Sequence, residues 1–300
     1  MKKTFIIAVA ILAYAFSLTA QVKTTPFEYP VVPDSLQTLQ QRTSFLVSRF
    51  WDNADMKKVM ADTASFNKAF EDFVSFIPYA HADTVKHAIN NLTLRFKDDP
   101  KNLLKLAYAA EKEMFGPEAQ FWADEQYMQF TRPVFTNKKI SADDKKHFLD
   151  NVKMLNGSQV GSTVSPIPYT TQYGAQHSLH DQKAEYYLLY FYGPDCSDCD
   201  MTHLRMETDV ALENITKSGQ LKIIDIYVGE PTDAWKKSIA SFPYEWEAGY
   251  SETAGNAIDL RELSRMYLLD NEYKIIARNL NINQVLSLAS ALNRRNDQQQ

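Results

Sequence analysis

The 300-residue sequence predicts two fold classes in series, an all-α N-terminal domain followed by an α/β domain. Three observations carry that prediction. Glycine is nearly absent from the first half: Gly116 is the only one before residue 157, and the other eight fall between Gly157 and Gly255, where tight turns call for them. Apolar residues recur at helical spacing in the first half, whereas the second half holds short continuous apolar runs of strand length. Apolar residues make up 45% of the chain and charged residues 23%, the balance of a globular protein rather than of a disordered or multi-pass membrane one.

Residues 1–20, MKKTFIIAVAILAYAFSLTA, join a basic start to an apolar run from Phe5 to Leu18 and then to small residues, the pattern of a cleaved secretory signal peptide. The run is shorter than the ~20 residues of a spanning helix, so no stable membrane insertion is expected after cleavage. Without Lys2 and Lys3 the formal charge of −5 becomes −7. A chain this acidic, lacking any Lys/Arg block, is a poor ligand for a phosphate backbone, and no nucleic-acid partner is expected.

Helices are expected over 34–51, with Asp34 and Ser35 as caps and Leu36, Leu39, Phe45, Leu46 and Phe50 facing a core, and over 62–76 on Phe66, Phe70 and Phe73. Others are expected over 83–96, 101–114, 117–130 and 141–155, punctuated by Pro100, Gly116-Pro117 and Pro133. The aromatic stripe reads as core, and no tetratricopeptide-like period is found. NGSQVGSTVS, at 156–165, combines small residues with turn formers and marks the expected domain junction.

Beyond it, Ile167 to Leu179 reads as a hairpin turning at Tyr173-Gly174, and 186–192 as a buried strand stopped by Gly193, Pro194 and Asp195. A helix over 200–215 is expected to turn Met201, Leu204 and Ile215 inward. A strand over 221–228, a long connection, a hairpin over 265–277 and a helix over 283–292 complete the order.

Cys196 and Cys199 are the only cysteines and are spaced C-x-x-C. In an exported chain such a pair can oxidise. A zinc site would need two further ligands; His177 and His180 have ligand-like spacing but read as solvated loop histidines, and no metal or cofactor is expected. A purely structural disulfide closing so short a loop removes little chain entropy. Redox chemistry is the stronger reading.

The strand running into GPDCSDC, the hairpin before it and the segment SRMYLLDNEYKII resemble exported TlpA-like thiol-disulfide oxidoreductases, over about residues 160–293. That resemblance implies a thioredoxin-like domain, a central mixed sheet flanked by helices. YPVVPDSLQTLQQRTSFLVSRFWDNADM resembles the opening of an uncharacterised helical domain that precedes such domains in some secreted bacterial proteins. The implied organisation is a signal peptide at 1–20, a helical domain at 21–156, a thioredoxin-like domain at 157–293 and a polar tail at 294–300. The resemblance further implies protein disulfides as substrates and a membrane thiol donor as partner.

One position departs from the family. Aligning on Tyr267-Leu268-Leu269-Asp270 puts Ser264 where the family has a cis-proline that shapes the substrate groove, and no proline occurs between Pro243 and Gln300. A cis bond before a residue other than proline costs ~2.5–4 kcal/mol, so this loop is expected to be trans and the groove altered.

In such a pair the first cysteine sits at a helix N-terminus, where dipole and free N–H groups favour its thiolate. Cys196 is therefore the expected nucleophile and Cys199 the resolving residue. Asp195, Asp198 and Asp200 oppose the dipole: one charge at ~6 Å costs up to ~3 kcal/mol at an effective dielectric near 20 and ~0.7 in water. That balance favours the disulfide, hence a reductant or a resting disulfide rather than a strong oxidant; the resemblance implies a periplasmic thiol-disulfide oxidoreductase acting as a reductase. The alternative is a binding or scaffold protein whose thioredoxin-like domain is degenerate at Ser264.

Overall fold

The computed structural model describes residues 25–297 apart from Gln120, Asp195 and Ser197. The expected signal peptide lies outside the described residues, and so does the Asp195 side chain. The chain divides into two compact units between Val85 and Lys86.

In the first unit α1 (Leu39–Arg49), α2 (Met56–Ala61) and α3 (Thr63–Phe76) surround Val47, Phe50, Trp51, Phe66, Phe70 and Phe73, all buried. The Phe50 and Phe73 rings meet at 5.4 Å. The caps expected at Asp34 and Ser35 are replaced by a capping box at Thr38 and Gln41, so α1 starts later. This register turns Thr43, Val47 and Phe50, four and three residues apart, onto one inward face, while Leu39, the first residue of the helix, is 61% exposed. Asp62 caps α3 as a bond acceptor from Ala64 N. The short helix α2 carries too few periodic positions to announce itself.

Helix α4 (Ala82–Leu94) crosses the division, and α5 (Pro100–Met114), α6 (Asp124–Thr136) and α7 (Ala142–Gly157) belong to the second unit. The helix expected over 117–130 begins instead at Asp124 and runs past Pro133. Gly116 and Pro117 turn the chain, with Gly116 N donating to Glu111 O at 2.6 Å and Ala123 N to Met114 O at 3.0 Å. Acidic Asp124 and Glu125 then occupy the first turn, where the dipole favours them. Pro133 lies inside the last turn of this helix, where it removes one donor from the backbone ladder.

The second unit also holds a seven-stranded mixed sheet in the order β2-β1-β5-β4-β3-β6-β7. Its strands are β1 (Pro168–Thr171), β2 (Gln176–Ser178), β3 (Tyr186–Tyr192), β4 (Leu221–Val228), β5 (Glu247–Ser251), β6 (Arg265–Asp270) and β7 (Ile275–Arg278). Strands β3, β4 and β5 are parallel, while β6 runs antiparallel to β3 and β1 to β5. This is the expected thioredoxin-like sheet.

Both faces of β3 are covered. Leu188, Tyr190 and Tyr192 pack with Met206, Leu212, Ile215, Trp235 and Val285, drawn from α8 (Cys199–Glu207), α9 (Val210–Lys217), α10 (Asp233–Ser238) and α11 (Ile282–Asp297). Tyr187, Leu189 and Phe191 pack on the other face with Ile167, Ile258 and Tyr267. Each such large side chain contributes ~1.5–3 kcal/mol by leaving water.

The long connection expected after β4 contains α10 and β5. Strand β5 is short and holds Gly249, where a Cβ would come within 2.8 Å of Thr170 O; only glycine lets β1 approach this closely. The single helix expected over 200–215 is two, because the Asp209 side chain accepts from Leu212 N and starts α9 afresh. Since α8 begins at Cys199, residues 199, 203 and 206 face inward, and Met201 and Leu204 are 59% and 50% exposed.

The 156–165 segment is not a loose linker. Gly161 N donates to Ile275 O, Ile275 N to Ser162 O and Val164 N to Tyr273 O. Asp259 N donates to the buried Ser158 Oγ at 2.7 Å, and Arg278 donates to Ser158 O. Gly161 has φ +92°, a backbone state open to glycine. A second tie is Arg261, which pairs with Asp259 and Asp124, both at 2.9 Å, and lies over the Phe115 and Trp122 rings.

Burial alone would raise the Asp259 pKa, but Arg261 and Arg265 outweigh it and hold the carboxyl below the usual carboxylate range. A carboxylate depressed in the folded state stabilises it fully above its unfolded value, about pH 4, and loses that contribution as pH falls through the folded value. Asp259→Asn leaves two guanidiniums short of a buried partner and is expected to cost ~3–5 kcal/mol in urea unfolding at pH 7. The difference from wild type should shrink below pH 4. An equal difference at all pH values would contradict the assignment.

Candidate functional site

Strand β3 delivers the chain to the cysteines. Its last residues, Tyr190, Phe191 and Tyr192, pair with Asp225, Ile226 and Tyr227 of β4, and Phe191 lies opposite Arg265 of β6. This register sets Ser264, the residue before β6, beside the turn at Gly193-Pro194, and a Cβ at Gly193 would stand 3.0 Å from Leu263 Cδ1. Cys196 and Cys199 form a disulfide with Cα atoms 5.5 Å apart. Cys196 is partly exposed and Cys199 only 4% exposed.

Helix α8 begins at Cys199 with Asp198 as its cap residue. Cys196 therefore stands two residues before the cap rather than inside the first turn, and the dipole acts on it more weakly than expected, since the effect falls off within a turn. Asp198 and Asp200 are exposed, so solvent screening puts their opposition near the lower end of the range given above.

The Leu263–Ser264 peptide is cis, which overturns the expected trans bond. That expectation weighed only the intrinsic preference of the bond. The flanking residues have anchors of their own: Leu263 fits against Gly193, and Arg265 pairs with Asp259 at 2.9 Å and Glu262 at 3.3 Å. Ser264 lines a cleft of about 450 Å³ with Asp198, Thr202, Glu262, Arg265 and Asn281. A wider cavity of about 660 Å³, lined by Asn90, Lys97, Pro133 and Asn137, lies away from the motif in sequence, so the smaller cleft, which Asp198 of the C-x-x-C turn lines, is the candidate substrate site.

Beneath the disulfide lies a polar layer that the motif reading missed. The Tyr190 hydroxyl donates to Cys199 Sγ at 3.0 Å. His203, one turn after Cys199, pairs through Nε2 with Asp225 Oδ2 at 2.8 Å; the two side chains are 7% and 0% exposed. Trp235 Nε1 donates to the Tyr192 hydroxyl at 2.9 Å. Burial pushes the Tyr192 pKa up, and the Asp225 carboxylate adds to the shift. A signal for Asp225 was present: a lone acid inside the apolar run LKIIDIYV is rarely buried without a specific partner. His177 and His180, read as solvated, are partly buried: His177 pairs with Glu247 at 2.7 Å, and His180 stacks on Tyr273 with centroids 4.1 Å apart.

Residues 15–158 match a family described as a domain of unknown function, DUF5106. No curated protein matches the chain. A thioredoxin-like protein from Bacteroides caccae superposes with a TM-score of 0.57 at 23% identity, covering 88% of this chain and 98% of that one. The C-terminal domain of an uncharacterised Bacteroides fragilis protein matches at 27% identity and a TM-score of 0.41, covering 44% and 98%. The thioredoxin domain of a thiol-disulfide oxidoreductase from Bacteroides vulgatus matches at 23% and 0.36, covering 45% and 97%. The chain thus has a helical N-terminal region followed by a thioredoxin-like fold.

The unequal exposure of the two sulfurs has a direct readout. After reduction, a limiting amount of alkylating agent should label Cys196 ahead of Cys199 by about tenfold or more, since access and thiolate character govern the rate. Peptide mass spectrometry distinguishes the sites, and equal labelling would contradict the geometry.

Proposed function

We propose that the chain is an exported, periplasmic thiol-disulfide oxidoreductase that reduces protein disulfides and is recharged by a membrane thiol donor. The single observation that carries this reading is the partly exposed Cys196 bonded to a buried Cys199 just after β3, with a cleft lined by Asp198 and Ser264 next to the motif. The leader-like residues 1–20 support export, and residues 157–293 are the module proposed to carry the chemistry, with 21–156 as its helical companion.

In the reduced protein the Cys196 thiolate attacks a substrate disulfide, and one substrate sulfur departs as a thiolate and takes a proton from water. The Cys199 thiolate then attacks Cys196 Sγ, breaking the mixed disulfide and closing the Cys196–Cys199 bond. The protein loses two electrons and the substrate disulfide gains them. Asp195, Asp198 and Asp200 disfavour the Cys196 thiolate, which makes the dithiol a better reductant.

Insulin reduction with excess dithiothreitol tests the proposal. Cys196→Ser should abolish turnover, and Cys199→Ser should accumulate a mixed disulfide visible on a non-reducing gel. If wild type reduces nothing, and Cys196 alkylates no faster than a free thiol of pKa ~8.5, the scaffold reading replaces the enzyme.

A further inference from the structure

We propose that Tyr190 is a positioning residue for the resolving half of the reaction, its hydroxyl holding a hydrogen bond on the Cys199 sulfur so that the buried thiolate can form. The inference rests on the oxidoreductase reading for its place in turnover, though the bond itself is a feature of the fold. Tyr190 is fully buried on β3, its hydroxyl oxygen 3.0 Å from Cys199 Sγ. Cys199 is 4% exposed, so water is a poor source of hydrogen bonds to its anion. A buried charge without a donor is costly, and a donor bonded to the charged form favours it.

Tyr190 acts as a donor and not as a base. Burial, first among the causes, pushes its pKa up to about 12, and the hydroxyls of Ser264 and Thr202 act in the opposite sense from beside its oxygen. The phenolic hydrogen is directed at the Cys199 sulfur, 3.0 Å from the oxygen.

Other ionisable groups face the pair from every packed element. Asp225 of β4 lies opposite Tyr190 in the strand register, His203 of α8 meets its ring at 5.1 Å, Asp198 stands before α8, and Tyr192 stacks at 5.3 Å along β3. The Asp225 and Asp198 carboxylates disfavour a second anion here, which makes the Tyr190 bond the more necessary to Cys199. In the resolving step Cys199 first loses its proton to solvent. Its thiolate then attacks Cys196 Sγ, the Cys196–substrate bond breaks, and the departing substrate thiolate is protonated by water; Tyr190 keeps its proton throughout.

The test is the ultraviolet titration of Cys199 as the sole thiol, in Cys196→Ser, with and without Tyr190→Phe. Loss of the hydroxyl should leave about tenfold less thiolate at neutral pH, in line with the worth of a hydrogen bond to a charged group. In the two-cysteine protein, resolution of the mixed disulfide should slow about tenfold at neutral pH and converge with wild type at high pH. The attack by Cys196 should keep its rate, an asymmetry that general loosening of the core would not produce. A Cys199 titration unchanged by Tyr190→Phe overturns the proposal. Should that variant fail to fold, Ser264→Ala with Thr202→Val decides: a shift of the Cys199 titration to higher pH supports the proposal, and none overturns it. If wild type forms no mixed disulfide with any protein, the oxidoreductase reading falls, while the titration still decides the role of Tyr190.

Discussion

Residues 186–192 pair on one side with β4 and residues 186–191 on the other with β6, and among the described residues no other strand is held so completely. The pairing fixes where the chain leaves the sheet, and so where Cys196 and Cys199 stand. It also fixes which residue of the β6 approach arrives beside them, which is Ser264. Because β3 is buried on both faces, its tyrosine hydroxyls need internal partners. Tyr187 donates to Gln182 O, Tyr190 to Cys199 Sγ, and Tyr192 accepts from Trp235. The polar layer under the disulfide follows from an aromatic strand placed at the centre of the sheet.

The loop leading into β6 is braced from its other side by Asp259, which binds Arg261 and Arg265 and accepts through its backbone oxygen from Tyr267. Arg261 carries the brace into the helical region through Asp124 and Phe115. The boundary of the family match at residue 158 is therefore not a boundary of packing, which falls between Val85 and Lys86. The sequence module and the compact unit differ here because Ser158 and the 161–164 segment are bonded to the 259–275 region.

The β3, C-x-x-C, helix, β4 order and the terminal hairpin were legible because each is a local pattern: a continuous apolar run, a cysteine spacing, a turn. Strand β5 was not, since Gly249 serves a close approach by β1 and weakens the strand pattern. Two helices were hidden by length and one was misplaced by its prolines, because the chain turns at Gly116-Pro117 and the helix then runs past Pro133, which it accommodates in its last turn. At the site, the cysteines were plain, but Tyr190 and Asp225 meet through strand register and His203 reaches Asp225 from α8, pairings that one sequence does not display. The bond before Ser264 was misjudged because the preference of an isolated peptide says nothing of the anchors at Leu263 and Arg265.

The central claim is that Cys196 and Cys199 form a working redox pair whose acidic setting favours the disulfide. Equilibration of the full chain with dithiothreitol buffers, followed by alkylation and mass analysis, measures it directly. The account predicts a single two-electron transition near the potential of thioredoxin, about −270 mV, rather than near that of a strong oxidant at about −120 mV. A pair that stays oxidised in excess dithiothreitol, or a potential near the strong-oxidant end, would contradict it.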